Sequence, residues 1–144
     1  MNLQNFEKAH EREFVTIRHC PETKMIWNEW RGNIPSGPLR EAMHFACQFI
    51  VEKEIELILA DYTRMLPPSL QDQTWIATHA AQILHHSKLK RVANIMGSDI
   101  FQQISIETIY EIASKYPLPC ESRDFIFKED ALEWLFSTDE DQAA

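Results

Sequence analysis

The sequence predicts one α/β domain built on a mixed sheet, and three observations carry that prediction. Two short stretches rich in β-branched and aromatic residues, Glu13–Cys20 and Met25–Arg31, flank the turn signal Pro21-Glu22-Thr23-Lys24. Further strand-like runs, led by the apolar Leu57-Ile58-Leu59-Ala60, alternate with segments whose apolar residues recur at three and four. The chain has 144 residues, 44% of them hydrophobic, which suits one core without staples.

The elements follow in order. Residues 1–12 are polar and are expected to be loosely held. Phe14-Val15-Thr16-Ile17 starts the first strand, and Met25 to Arg31 forms the second. In the second, Ile26 and Trp30 share one face while Met25 and Trp27 share the other, because side chains alternate along a strand. A short turn between two strands requires an antiparallel hairpin. Gly32 ends the pair. Ser36 is the expected N-cap of a helix with Pro38 in its first turn, where a missing N–H costs little. Leu39, Ala42, Met43, Ala46, Phe49 and Ile50 make its apolar stripe.

Glu56–Asp61 reads as a strand covered on both faces and ending in a carboxylate. Arg64-Met65-Leu66-Pro67-Pro68 reads as a loop, and Ser69 as the cap of a second helix, with Asp72 three residues on. Ile76, Ala80, Ile83 and Leu84 are its expected core stripe. Leu89–Met96 is a strand ended by Gly97. Ser98 or Asp99 caps a helix through Ile100, Phe101 and Ile104, which Ser105 can restart. Pro117 and Pro119 stop it. Ser122–Phe127 is a fifth strand, and Asp130–Phe136 is a last short helix. The expected order is β-β-α-β-α-β-α-β-α: four main helices and a five-stranded mixed sheet, parallel after the N-terminal antiparallel hairpin. The whole of 1–144 is one domain, with 1–12 and 138–144 as its flexible ends.

Composition excludes several classes. The formal net charge of −8 opposes a nucleic-acid partner, whose phosphates are held by Lys and Arg. No apolar run approaches the ~18 residues of a membrane span, and no basic-then-apolar leader opens the chain, so a cytoplasmic location is expected. Cys20, Cys47 and Cys120 are odd in number and far apart, which fits neither a disulfide framework nor a zinc site. His79, His85 and His86 share a helix, but His79 and His86 stand two turns apart, about 10 Å, so no metal is expected. With three glycines there is neither a GxGxxG nor a GxxxxGK[ST] cradle, and GxSxG and HExxH are absent too. No cofactor and no catalytic residue is expected.

Asp61 to Ser69 is the candidate binding segment. It leaves the carboxyl end of a central strand, where open α/β sheets bind ligands, and enters a helix N-terminus, which favours an anion. There Asp61 and Arg64 can pair with each other or with a partner. Trp27, Trp30 and Trp75 are the candidate aromatic contacts.

Trp27-Asn28-Glu29-Trp30-Arg31-Gly32, the strand Leu57-Ile58-Leu59-Ala60-Asp61 with Tyr62-Thr63-Arg64-Met65 after it, and Ala131-Leu132-Glu133-Trp134-Leu135 together resemble the SpoIIAA-like group of bacterial proteins. That group is related to the STAS domains of anti-sigma-factor antagonists and, in fold, to the lipid-binding Sec14 (CRAL-TRIO) domain. The resemblance covers roughly residues 13–136. It implies a partner kinase and a phosphorylated serine at a helix N-terminus, a place that Ser69 occupies here. The family's Asp-Ser-Ser-Gly pattern is replaced by Pro67-Pro68-Ser69-Leu70.

The expected function is therefore that of a non-enzymatic interaction module binding a protein partner or a second copy of itself. The alternative is a binder of a small apolar or lipid-like ligand lying between sheet and helices near Trp27, Trp30 and Trp75, with Arg64 on an anionic head. An enzyme using Asp61, Arg64 and a histidine is the third reading.

Overall fold

Six strands and four helices alternate through the computed structural model, which describes residues 5–116 and 118–138. They are β1 (Glu7–Arg12), β2 (Val15–Cys20), β3 (Met25–Gly32), α1 (Ser36–Glu52), β4 (Leu57–Met65), α2 (Leu70–Leu84), β5 (Arg91–Ile95), α3 (Ile100–Ala113), β6 (Glu121–Phe125) and α4 (Lys128–Phe136).

The strands lie side by side in chain order, β1-β2-β3-β4-β5-β6. β1 and β3 both run antiparallel to β2, and β3 through β6 are parallel. Three successive parallel crossovers that all step the same way across a sheet place their helices on one face, because each is right-handed. Accordingly α1, α2 and α3 pack side by side in that order. The helix α4, which follows the last strand, covers the other face, against β4, β5 and β6.

The sixth strand is a correction. Residues 1–12 were expected to be loose, yet Glu7–Arg12 pairs with β2. Its sequence, Glu-Lys-Ala-His-Glu-Arg, carries no apolar alternation, since an edge strand needs no buried face of its own. Two steps from Lys8 to His10 match one step from Arg18 to Ile17, so the edge is bulged as well as charged, and both features blunt pairing with another chain. Residues 1–4 and 139–144, parts of the expected flexible ends, lie outside the described residues, as does Pro117.

β4 is longer than expected. Instead of a loop after Asp61, Tyr62–Met65 continues the strand. Glu29 pairs with Asp61 and Arg31 with Arg64, so two steps along β3 correspond to three along β4. The extra residue resets the alternation of faces. Tyr62 and Met65, three apart, therefore both point toward α1–α3. At the end of β3, Gly32 sits at φ +77°, the left-handed region that favours glycine.

The helix ends also differ in detail. The N-cap of α1 is Pro35, not Ser36, whose hydroxyl is used elsewhere. α3 runs unbroken through Ser105.

Candidate functional site

A cavity of about 140 Å³ lies between the sheet and the α1–α3 layer. Small side chains make room for it: Ala46 on α1 and Ala77, Ala80 and Ala81 on α2 line it where larger residues would fill it. The sheet supplies Trp30, Ala60 and Tyr62, and α3 supplies Gln102, Ile106 and Tyr110. Among the described residues no charged side chain lines it. Its ionisable groups are held neutral: burial pushes the Cys47 thiol and the Tyr110 hydroxyl up to about 12 and raises Tyr62 and Cys120 as well. Trp30 is 2% exposed, and its Nε1 donates to Asn28 Oδ1 at 2.8 Å. Tyr110 donates to Asn94 Oδ1 at 3.2 Å.

Above the cavity a polar seam fastens α1 to α2. Asp72, whose side chain is 7% exposed, accepts from Ser36 Oγ at 2.6 Å and from Arg40 Nε at 2.9 Å. Those donors hold its carboxyl below the usual carboxylate range, Ser36 contributing most. One turn on, Trp75 stacks on His79 with ring centroids 4.4 Å apart, and Arg40 lies 5.1 Å from the Trp75 ring. His79 Nε2 then meets His44 Nδ1 at 2.7 Å, a single hydrogen bond in which one ring donates to the other. Positions 36, 40 and 44 on α1 and 72, 75 and 79 on α2 follow helical spacing, so the seam runs straight along the contact.

The sequence-derived site residues do not assemble into one place. Trp30 lines the cavity, and Trp27, on the opposite face of β3, does not. Phe6 meets the Trp27 ring edge-on, while Arg18 and Lys128 each lie 4.4 Å from its centroid. Trp75 belongs to the seam. Asp61 Oδ1 accepts from the N–H and the hydroxyl of Thr63, at 2.9 and 2.7 Å, so it is engaged locally within the bulged part of β4 rather than with Arg64. Arg64 is exposed beside Arg31 on the neighbouring strand. The crevice expected at the strands' carboxyl edge needs a reversal of strand order. The order here runs from β1 to β6 without one.

Ser69 caps α2, its Oγ accepting from the Asp72 N–H at 3.1 Å. Ser69→Ala is therefore expected to cost about 1 kcal/mol of stability, read by chemical denaturation. The carboxyl edge carries something else: Leu66 and Leu70 after β4, Ile100, Phe101 and Ile104 after β5, and Ile126 and Phe127 after β6 are all exposed, Phe101 by 72%. The apolar spacing predicts α3 through three of these, whereas the buried side of its first turns holds Gln102, Ser105 and Ile106.

Among the described residues no helix is long and apolar enough to cross a membrane, and no group of three or more His, Cys, Asp or Glu side chains could hold a metal ion. Cys20, Cys47 and Cys120 are free.

The sequence matches no protein-family model and no curated protein. Among solved structures it is similar to an uncharacterised protein of the DUF3478 family with a SpoIIAA-like fold, from Shewanella loihica PV-4. The two are 18% identical and superpose with a TM-score of 0.57 over 90% of this chain and 99% of that one. The likeness is one of fold: this chain has a SpoIIAA-like fold.

Proposed function

We propose that this chain is a non-enzymatic regulatory module that binds a small apolar ligand between the sheet and α1–α3. The supporting observation is the cavity, whose wall is almost wholly apolar and whose thiols and phenols are held protonated near neutral pH. Acid–base catalysis calls for groups poised near the working pH, and these are moved away from it. At about 140 Å³ the space is close to the roughly 150 Å³ of an apolar cavity known to take up benzene. An apolar molecule of ring size fits; a full lipid requires the helix layer to lift. Toluene is expected to bind and raise the melting temperature. Ala77→Leu, which puts three more carbons into the cavity from a residue 1% exposed, is expected to weaken that binding about tenfold or more while the chain stays folded. Isothermal calorimetry on both proteins checks this, and toluene bound equally by both would place it elsewhere.

A second reading, association with a protein partner or with a second copy of the chain, is favoured by the exposed apolar residues at the carboxyl edge. Apolar groups gathered at one edge are typical of interaction surfaces. Light scattering is expected to show a concentration-dependent dimer that Phe101→Asp abolishes; a monomer at every concentration counts against self-association. Regulation through Ser69 is the least supported part. Its Oγ is engaged as the helix cap, and a phosphate there would stand beside the Asp72 carboxylate.

A further inference from the structure

On the inner face of α3, two buried polar atoms have no partner. Gln102 lines the cavity and is 2% exposed, and its Oε1 accepts no hydrogen bond. Ser105, three residues on and therefore on the same face, is 2% exposed with an equally unpartnered Oγ. The Gln102 amide cannot simply be turned over. Its Nε2 faces the Tyr62 carbonyl at 3.4 Å, and the reverse setting would press two oxygens together. Oε1 is thus a buried acceptor without a partner on a residue of a mostly apolar wall. The wall's other amide oxygen, Asn28 Oδ1, already receives Trp30 Nε1. Buried acceptors are nearly always paired, and one left over calls for an explanation.

We infer that the cavity takes a small neutral molecule bearing one O–H donor on an apolar body, of the phenol class, and that Gln102 Oε1 receives that hydroxyl. This rests on the cavity being a ligand site. The donor is neutral because, among the described residues, no side chain of opposite charge lines the wall to offset the desolvation of an ion. The apolar body is about one ring in size, from the volume of the space.

The probes are phenol and toluene, which have the same number of heavy atoms and differ by the donor. Their dissociation constants are measured by calorimetry on the full chain and on Gln102→Met, which keeps the side chain's length and removes the acceptor. The expected result is that the preference for phenol over toluene falls about tenfold in the variant, as for loss of one buried hydrogen bond. A preference unchanged within about twofold, with both probes still binding, overturns the inference and leaves the cavity reading standing. Failure of phenol to bind the wild-type chain while toluene binds overturns the inference alone, and failure of both probes overturns both readings. Should Gln102→Met not fold, the wild-type chain still decides. The Gln102 Cδ carbon resonance is expected to move downfield with phenol and not with toluene, and an equal response to both overturns the assignment.

Discussion

Trp30→Ala is expected to lower the unfolding free energy by about 3–5 kcal/mol, the range for deleting a large aromatic from a packed interior. Trp30 is 2% exposed and sits in the core with Leu39, Ala42, Met65 and Ile76, so it joins α1 and α2 to the sheet. The loss has two parts, and they can be separated. The first is the ring's apolar area and the hole it leaves. The second is the Nε1 hydrogen bond to Asn28 Oδ1, an oxygen on a residue only 6% exposed. Trp30→Phe keeps most of the first part and leaves that oxygen without this donor, an expected cost of about 1–3 kcal/mol. Removing the acceptor too, in Trp30→Phe with Asn28→Leu, is expected to recover part of it. Urea denaturation of the three variants checks the division. In Trp30→Ala the vacated space joins the existing cavity, so added indole is expected to raise that variant's melting temperature and leave the wild type's unchanged. A loss below about 1 kcal/mol, or no response to indole, would mean that the helix layer collapses onto the sheet and that the cavity does not persist.

How far the sequence reached is clearest on β3. Alternation along a strand correctly set Ile26 and Trp30 on one face and Met25 and Trp27 on the other, since the period of two is a property of the backbone alone. The cap at Ser69 is equally legible and that of α3 is narrowed to Ser98 or Asp99, of which Asp99 is the cap, because each rests on a local contact with the following turn. What failed depended on neighbours distant in the chain. β1 is a strand because β2 offers it an unpaired edge, and nothing in Glu-Lys-Ala-His-Glu-Arg announces that. β4 continues through Thr63 and Arg64 because β3 pairs with it across a bulge.

The crevice expected beside Asp61–Ser69 depends on the same kind of distant information. Sheet order decides whether a carboxyl-edge crevice exists, and order is not written in any one segment. The cavity was foreshadowed only weakly, by Ala46, Ala77 and Ala81 on faces that meet the core, and by Gln102 and Ser105 amid isoleucines. A polar residue on the apolar side of a helix was the signal to follow. The apolar Ile100, Phe101 and Ile104, through which the spacing runs the helix, are exposed instead.

Asp72→Ala is expected to cost about 2–3 kcal/mol and to flatten the acid limb of the stability profile. The carboxylate is nearly buried and accepts two hydrogen bonds from α1, at 2.6 Å from Ser36 and 2.9 Å from Arg40. Breaking a fully buried pair costs roughly 3–5 kcal/mol, but the Arg40 side chain is 36% exposed and can turn to water, which lowers the figure. Asp72→Asn keeps an acceptor and loses the charge, so its cost is expected to fall between that of Asp72→Ala and zero. The pH dependence follows from the depressed carboxyl. Unfolded, Asp72 titrates near about 3.9; folded, it titrates lower, because the Ser36 hydroxyl and the Arg40 guanidinium favour the anion. Between those two values the unfolded chain binds more protons, so acid favours unfolding. The contribution is fully present above the unfolded value and is lost as pH falls through the folded one. In Asp72→Ala, stability is therefore expected to decline less steeply below about pH 4 than in the wild type. Combining Asp72→Ala with Arg40→Ala isolates the link between α1 and α2, and a coupling of at least about 1 kcal/mol is expected. Strictly additive losses would show that Ser36 alone fastens the two helices, and that the cavity's cover rests on one neutral donor.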